Sequence, residues 1–112
     1  MSDGRDIMKE TYKIIKNLST EFDSKKEDFS DEKYESIKKE LEESLKWAKK
    51  NRNSVWLRTA EGTGLAQGCL DEAKKLQEVF DEEKKAADKA LDLKIKLESL
   101  AKIIATKASV MT

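Results

Sequence analysis

Between Leu65 and Ala108 the apolar residues recur in steps of three and four, and no proline interrupts them. Ala66, Cys69, Ala73, Leu76, Phe80, Ala87, Ala90, Leu97, Ala101, Ile104 and Ala108 follow a seven-residue repeat. Glu83 and Lys94 stand at two positions where that repeat calls for apolar side chains. Leu65, Val79, Ala86, Leu93 and Leu100 form a neighbouring row, with Leu70 and Leu91 flanking the other side. A period of 3.5 to 3.6 residues is that of a helix with one buried face. The stripe is wider than a two-stranded coiled-coil seam, so it suits the face of a bundle. Without a break it predicts a rod of about 45 residues, roughly 68 Å long.

The first half of the chain carries two shorter helical patterns. Ile7, Met8, Tyr12, Ile14, Ile15, Leu18 and Phe22 share one face of a helix starting near Asp3. Ser2 or Asp3 is placed to cap it. Tyr34, Ile37, Leu41, Leu45 and Ala48 are spaced 3, 4, 4 and 3, with Ser30 as N-cap and Asp31 and Glu32 in the first turn. Asn51 and Asn53 suit a turn, and Ser54 can cap a helical piece from Val55. Three of the four glycines, Gly62, Gly64 and Gly68, then fall within seven residues. That cluster reads as a helix–helix corner, with glycine supplying left-handed backbone and close approach.

Two architectures satisfy these patterns. Both are all-α helical bundles in one domain, residues 1–112. In the first, three helices include one long C-terminal rod. The short helices then cover only half of it, leaving Ala90, Leu91, Leu93, Leu97, Leu100, Ile103 and Ile104 for a second copy. In that case Ala90, Leu93, Leu97, Leu100 and Ile104 form a self-association stripe and the protein is a homodimer. In the second, the rod breaks near residues 82–88 and four helices make a monomeric bundle.

Composition supports folding. Charged residues make up 41% of the chain, but 23 bases balance 23 acids. With no net charge and a periodic apolar pattern, the chain lacks the signature of disorder. There is no histidine, which excludes histidine catalysis and histidine metal or haem ligation. One cysteine, Cys69, can form neither an intrachain disulfide nor a zinc cluster within one chain. It falls on the apolar stripe, where a buried thiol acts as a small hydrophobe. No cofactor is expected. The opening "MSDGRDIMKE" lacks an apolar signal core, and no apolar run is long enough to cross a membrane. A cytoplasmic location is therefore expected.

One window carries a binding signature. Lys46, Trp47, Lys49, Lys50, Arg52, Trp56 and Arg58 interleave bases with aromatics, and no acid lies between Ser44 and Ala60. Such a surface binds single-stranded nucleic acid by phosphate pairing and base stacking. It also suits an acidic protein. A balanced overall charge argues against a general nucleic-acid role. Residues 21–43 and 71–83 carry net charges of −5 and −4, so folding can neutralise the window internally. "GTGLAQG" at the mouth of a helix lacks the dinucleotide spacing and the "GK[ST]" ending of phosphate loops. The tail from Leu97, with Lys102 and Lys107 opposite Leu100, Ile103 and Ile104, reads as a packing helix rather than a membrane-surface one. The expected role is a non-enzymatic interaction or assembly protein acting through helix–helix contacts. The alternative is nucleic-acid or phosphate binding through residues 46–58. A bundle carrying an apolar ligand is a third class.

Overall fold

The computed structural model describes the backbone of residues 3–111, and the side chains as far as Lys107. Four helices form: α1 Gly4–Ser24, α2 Asp31–Asn51, α3 Ala60–Val79 and α4 Glu83–Met111. Asp3 caps α1, its carboxylate accepting from the backbone N–H of Arg5 and Asp6. Ser30 caps α2 through the N–H of Lys33, and Thr59 caps α3 through the N–H of Gly62. Short 3₁₀ turns, Lys26–Asp28 and Val55–Arg58, lie in the α1–α2 and α2–α3 connections.

The chain forms four helices rather than three. The long rod is interrupted at Phe80–Glu82, a little before the expected 82–88, and α4 folds back along α3. The break changes the phase of the apolar stripe. Along α3 the buried row is Ala66, Cys69, Ala73 and Leu76, ending in Phe80. Along α4 it is Ala86, Ala90, Leu93, Leu97, Leu100 and Ile104, which contains no charged residue. Glu83 and Lys94, misfits in a continuous repeat, thus move off the core row. Lys94 reaches instead to Glu40 and Glu43 of α2 and Glu98 of α4, at 3.6–4.0 Å.

The five residues expected to form a self-association stripe are corrected by this fold. Ala90, Leu93, Leu97, Leu100 and Ile104 are buried in the chain's own core, because α4 packs against both α2 and α3. Burying four Leu or Ile side chains at ~1.5–3 kcal/mol each outweighs the few helical hydrogen bonds lost at the break, ~1 kcal/mol apiece. The reason for pairing this stripe with a second chain is gone.

The helices form two hairpins, α1–α2 and α3–α4, laid side by side. α1 packs against α2 and α3, and α4 against α2 and α3, so α2 and α3 stand on a diagonal. Their connection crosses one end of the bundle, where Trp56 and Leu57 are buried as a plug. There Gly4 lies so close to the Leu57 carbonyl oxygen that a Cβ would collide with it. At the other end Phe22 gathers Phe29, Tyr34 and Phe80, with ring centroids 4.9–5.8 Å apart. The same end is tied by the Lys25–Asp81 ion pair and by Glu83, which accepts from the Ser30 N–H at 3.0 Å and the Ser30 hydroxyl at 2.6 Å.

The glycine corner differs from expectation in mechanism. No glycine has a positive φ among the described residues. Gly62 sits in the first turn of α3 and Gly64 just beyond it. Gly62 serves close approach: a Cβ there would strike the Trp56 carbonyl oxygen and come within 2.8 Å of Leu57 Cα.

Candidate interaction surface

An α-helix in a four-helix bundle keeps an outward face, and on α4 that face is partly apolar. Leu91 is 43% exposed and Ile95 49%, although both are large hydrophobic residues. They begin a row of i, i+4 neighbours, Leu91–Ile95–Ser99–Ile103. Beside the row, between α3 and α4, runs a groove of about 420 Å³. Leu65, Cys69, Ile95, Leu100 and Ile103 give it an apolar lining, with Glu72, Asp92, Lys96 and Ser99 as its polar groups. Gly68 makes the wall of α3 low at this level. The Lys96 stem lies across it, 2.9 Å from where a Gly68 Cβ would stand.

The acidic end of the groove is incompletely satisfied. One carboxylate oxygen of Glu72, Oε1, is 3.6 Å from Lys75 Nζ, while Oε2 is buried without a hydrogen-bond partner. Deeper in the wall, Cys69 is fully buried. Burial pushes its thiol up to about 12, with Lys96 opposing that shift and Glu72 adding to it. This is the reverse of the electropositive, exposed setting that makes a cysteine reactive.

The basic–aromatic window does not converge on one surface. Trp56 is buried in the end plug. Arg58 is 3.8 Å from Asp3, and the Arg52 guanidinium lies over the Tyr12 ring at 4.6 Å. Lys46 and Lys50 flank the ring of half-buried Trp47 at 4.7 and 5.5 Å, and Lys49 is exposed. A shallow pocket of about 330 Å³ sits where Trp47, Lys50 and Asn51 meet Ala101, Lys102 and Ile104. Among the described residues no ion pair joins the window to the acids of 21–43 or 71–83; Arg58 pairs with Asp3 instead. The acids of 71–83 lie towards the aromatic end of the bundle, whereas the window lies at the plug end.

Sequence reasoning listed Leu91 and Ile103 as part of the stripe and passed over Ile95. The available signal was phase. On a helix whose core row is 86, 90, 93, 97, 100 and 104, Leu91 and Ile95 fall on the opposite face. Among the described residues no group of three or more His, Cys, Asp or Glu side chains is placed to hold a metal ion. No helix of the described residues is long and apolar enough to cross a membrane. Comparison with protein-family models, curated proteins and solved structures gives no match, so the reading of this surface rests on its own residues.

Proposed function

We propose that this chain is a non-enzymatic interaction protein whose contact face is the outer side of α4 together with the α3–α4 groove. The observation that carries the reading is the exposed pair Leu91 and Ile95, of which Ile95 lines an apolar groove. Leaving that row in water forgoes ~1 kcal/mol or more for each half-exposed side chain, and continuous apolar faces on soluble chains mark contact surfaces. Helix-in-groove recognition uses such i, i+4 anchors.

Electrostatics supports the non-enzymatic reading. The groups whose protonation is clearly shifted do not converge. Asp3 lies at the plug end, Lys25 and Glu83 at the aromatic end, and Cys69 within the groove wall. An acid–base site needs such groups together in one cleft. The free thiol suits a reducing compartment such as the cytoplasm. The dispersal of residues 46–58 favours this reading over nucleic-acid binding, since one aromatic of the two has no face to offer a base.

A photo-crosslinking amino acid placed at Ile95 tests it in living cells of the native host. Adducts should form at position 95 and not at exposed Lys39 on α2. Equal labelling at both positions, or none at either, refutes the contact face.

A further inference from the structure

We infer that the pocket between the last turns of α2 and the later turns of α4 binds a small organic anion with an apolar body: a carboxylate or sulfonate on a hydrocarbon or aromatic frame. This site is separate from the α4 contact face and does not depend on it. Trp47 forms its wall. Ala48, the next residue, is fully buried, so the indole stands at the edge of the core, half-buried. Across from it α4 supplies two small side chains, Ala101 and Ala105, with Ile104 alongside. A large ring beside two alanines leaves a step of about 330 Å³ with an apolar floor. Small-molecule sites begin near that size, at about 300 Å³.

The rim of the pocket is cationic. Lys50 and Lys102 both line it, one from each helix. Lys46 and Lys50 rest over the Trp47 ring at 4.7 and 5.5 Å, and among the described residues neither forms an ion pair. Lys102 is bridged to Glu98 at 3.8 Å, with its own side chain 77% exposed. No acid lies between Ser44 and Ala60 to repel an anion from the α2 side. An ammonium over an exposed ring is held weakly, so it can turn to an incoming anion at little cost. The anion then gains a charge-assisted partner from each helix. Its apolar body meanwhile covers Ala101, Ile104 and the edge of Trp47.

Both halves of the ligand are needed. Cations without the floor would take any anion, and the floor without cations would take any hydrocarbon. One pocket beside one accessible indole suits a single small molecule; a nucleic-acid strand needs successive stacking platforms, and Trp56 is buried. The contact is small, so a dissociation constant on the order of 0.1–1 mM is expected.

Two-dimensional NMR of the full chain reads the site directly, because the protein has two indole N–H groups, those of Trp47 and Trp56. Trp47→Phe assigns them. The probes are naphthalene-2-sulfonate and octanoate, one with a flat body and one with a linear body. Either should move the Trp47 signal saturably and leave Trp56, in the plug, in place; the tighter of the two identifies the frame. Naphthalen-2-ol, which lacks the charge, and inorganic phosphate, which lacks the body, should each bind about fivefold more weakly or less. Lys50→Glu and Lys102→Glu should each weaken the better probe about fivefold or more, since each turns an attraction into a repulsion. Matching circular-dichroism melts confirm that the variants fold. A Trp47 signal unmoved by both organic anions at about 10 mM overturns the inference. So does phosphate binding as tightly as they do, or an affinity indifferent to both lysine substitutions. A probe that enters the α3–α4 groove instead leaves Trp47 unmoved, and then this site falls while the α4 contact face is untouched.

Discussion

Two glycines separated by one residue should respond to alanine in opposite directions. Gly62 and Gly64 both lie in the first six residues of α3 and both have ordinary helical backbone. By propensity alone, each substitution should stabilise the helix by ~1 kcal/mol. Gly64 is exposed, and nothing stands within 4 Å of its missing Cβ, so Gly64→Ala should realise most of that gain. At Gly62 the new methyl meets the Trp56 carbonyl oxygen, with Leu57 Cα at 2.8 Å and Thr59 Oγ1 at 3.1 Å. Two of these atoms are backbone in a buried plug. The third is the N-cap hydroxyl, which accepts from the Gly62 N–H at 3.0 Å and donates to the Trp56 carbonyl at 2.7 Å. Thr63 holds the same turn by donating to the Leu57 carbonyl. The plug cannot retreat without loosening these bonds and pressing on Gly4, which already touches the Leu57 carbonyl.

Overpacking costs ~1–3 kcal/mol, and a lost cap adds ~1 kcal/mol. Against a propensity gain of ~1 kcal/mol, Gly62→Ala should be net destabilising by about 2 kcal/mol. For 112 residues the unfolding entropy makes 1 kcal/mol worth about 4 °C in Tm. Calorimetry should therefore find Gly62→Ala melting about 8 °C below the wild type and Gly64→Ala about 2–4 °C above it. If both variants melt higher, the plug does not rest on the first turn of α3, and the account of this corner is wrong.

Three further outcomes follow from burial. Leu97→Glu places a carboxylate at a position 1% exposed, and should lose the helical circular-dichroism signal at 25 °C rather than merely change the oligomeric state; a folded, soluble Leu97→Glu monomer would refute α4 as a core helix. Cys69 should react with a thiol reagent only after denaturant is added, and its burial should make stability fall at alkaline pH. The unfolded thiol ionises from about pH 9 and the folded one only near 12, so the contribution is intact below pH 9 and lost between those values. Wild type minus Cys69→Ala should drop by about 1 kcal/mol between about pH 9 and pH 10, and a flat difference would mean the thiol is hydrated.

The sequence made the helices legible and hid their arrangement. Asp3 and Ser30 announced two helix starts because a cap is a local interaction. The break after Phe80 was not local. Nothing in "VFDEEKKAAD" opposes a helix by propensity, and each candidate break residue is tolerated in a rod. What turns the chain there is tertiary. Phe80 is drawn to Phe22, Asp81 to Lys25, and Glu83 to the Ser30 hydroxyl and N–H. A trace did exist in the stripe. A continuous repeat through 80, 83, 87, 90, 94 and 97 requires two charged residues in the core, whereas a restart at 86 requires none. The same phase argument finds Ile95 on the outer face. For the window 46–58, residue type could suggest a surface but could not tell that Trp56 turns inward with the plug.

The fold-back also explains why the contact face lies where it does. A 45-residue rod would expose its second half to be covered by another chain. Folding at Phe80–Glu82 covers that half internally and leaves α4, at 29 residues and about 44 Å, as the longest helix of a bundle 48 Å in its longest extent. α3 has only 20 residues and begins at Ala60, so little of it is left to flank the last turns of α4. Gly68 lowers its wall further along. A groove is the geometric result of pairing a long helix with a shorter, glycine-bearing one. The apolar surplus that the sequence assigned to the stripe has shifted outward, to Leu91, Ile95 and Ile103. Unlike the buried row, these residues can meet a partner without unfolding the chain that carries them.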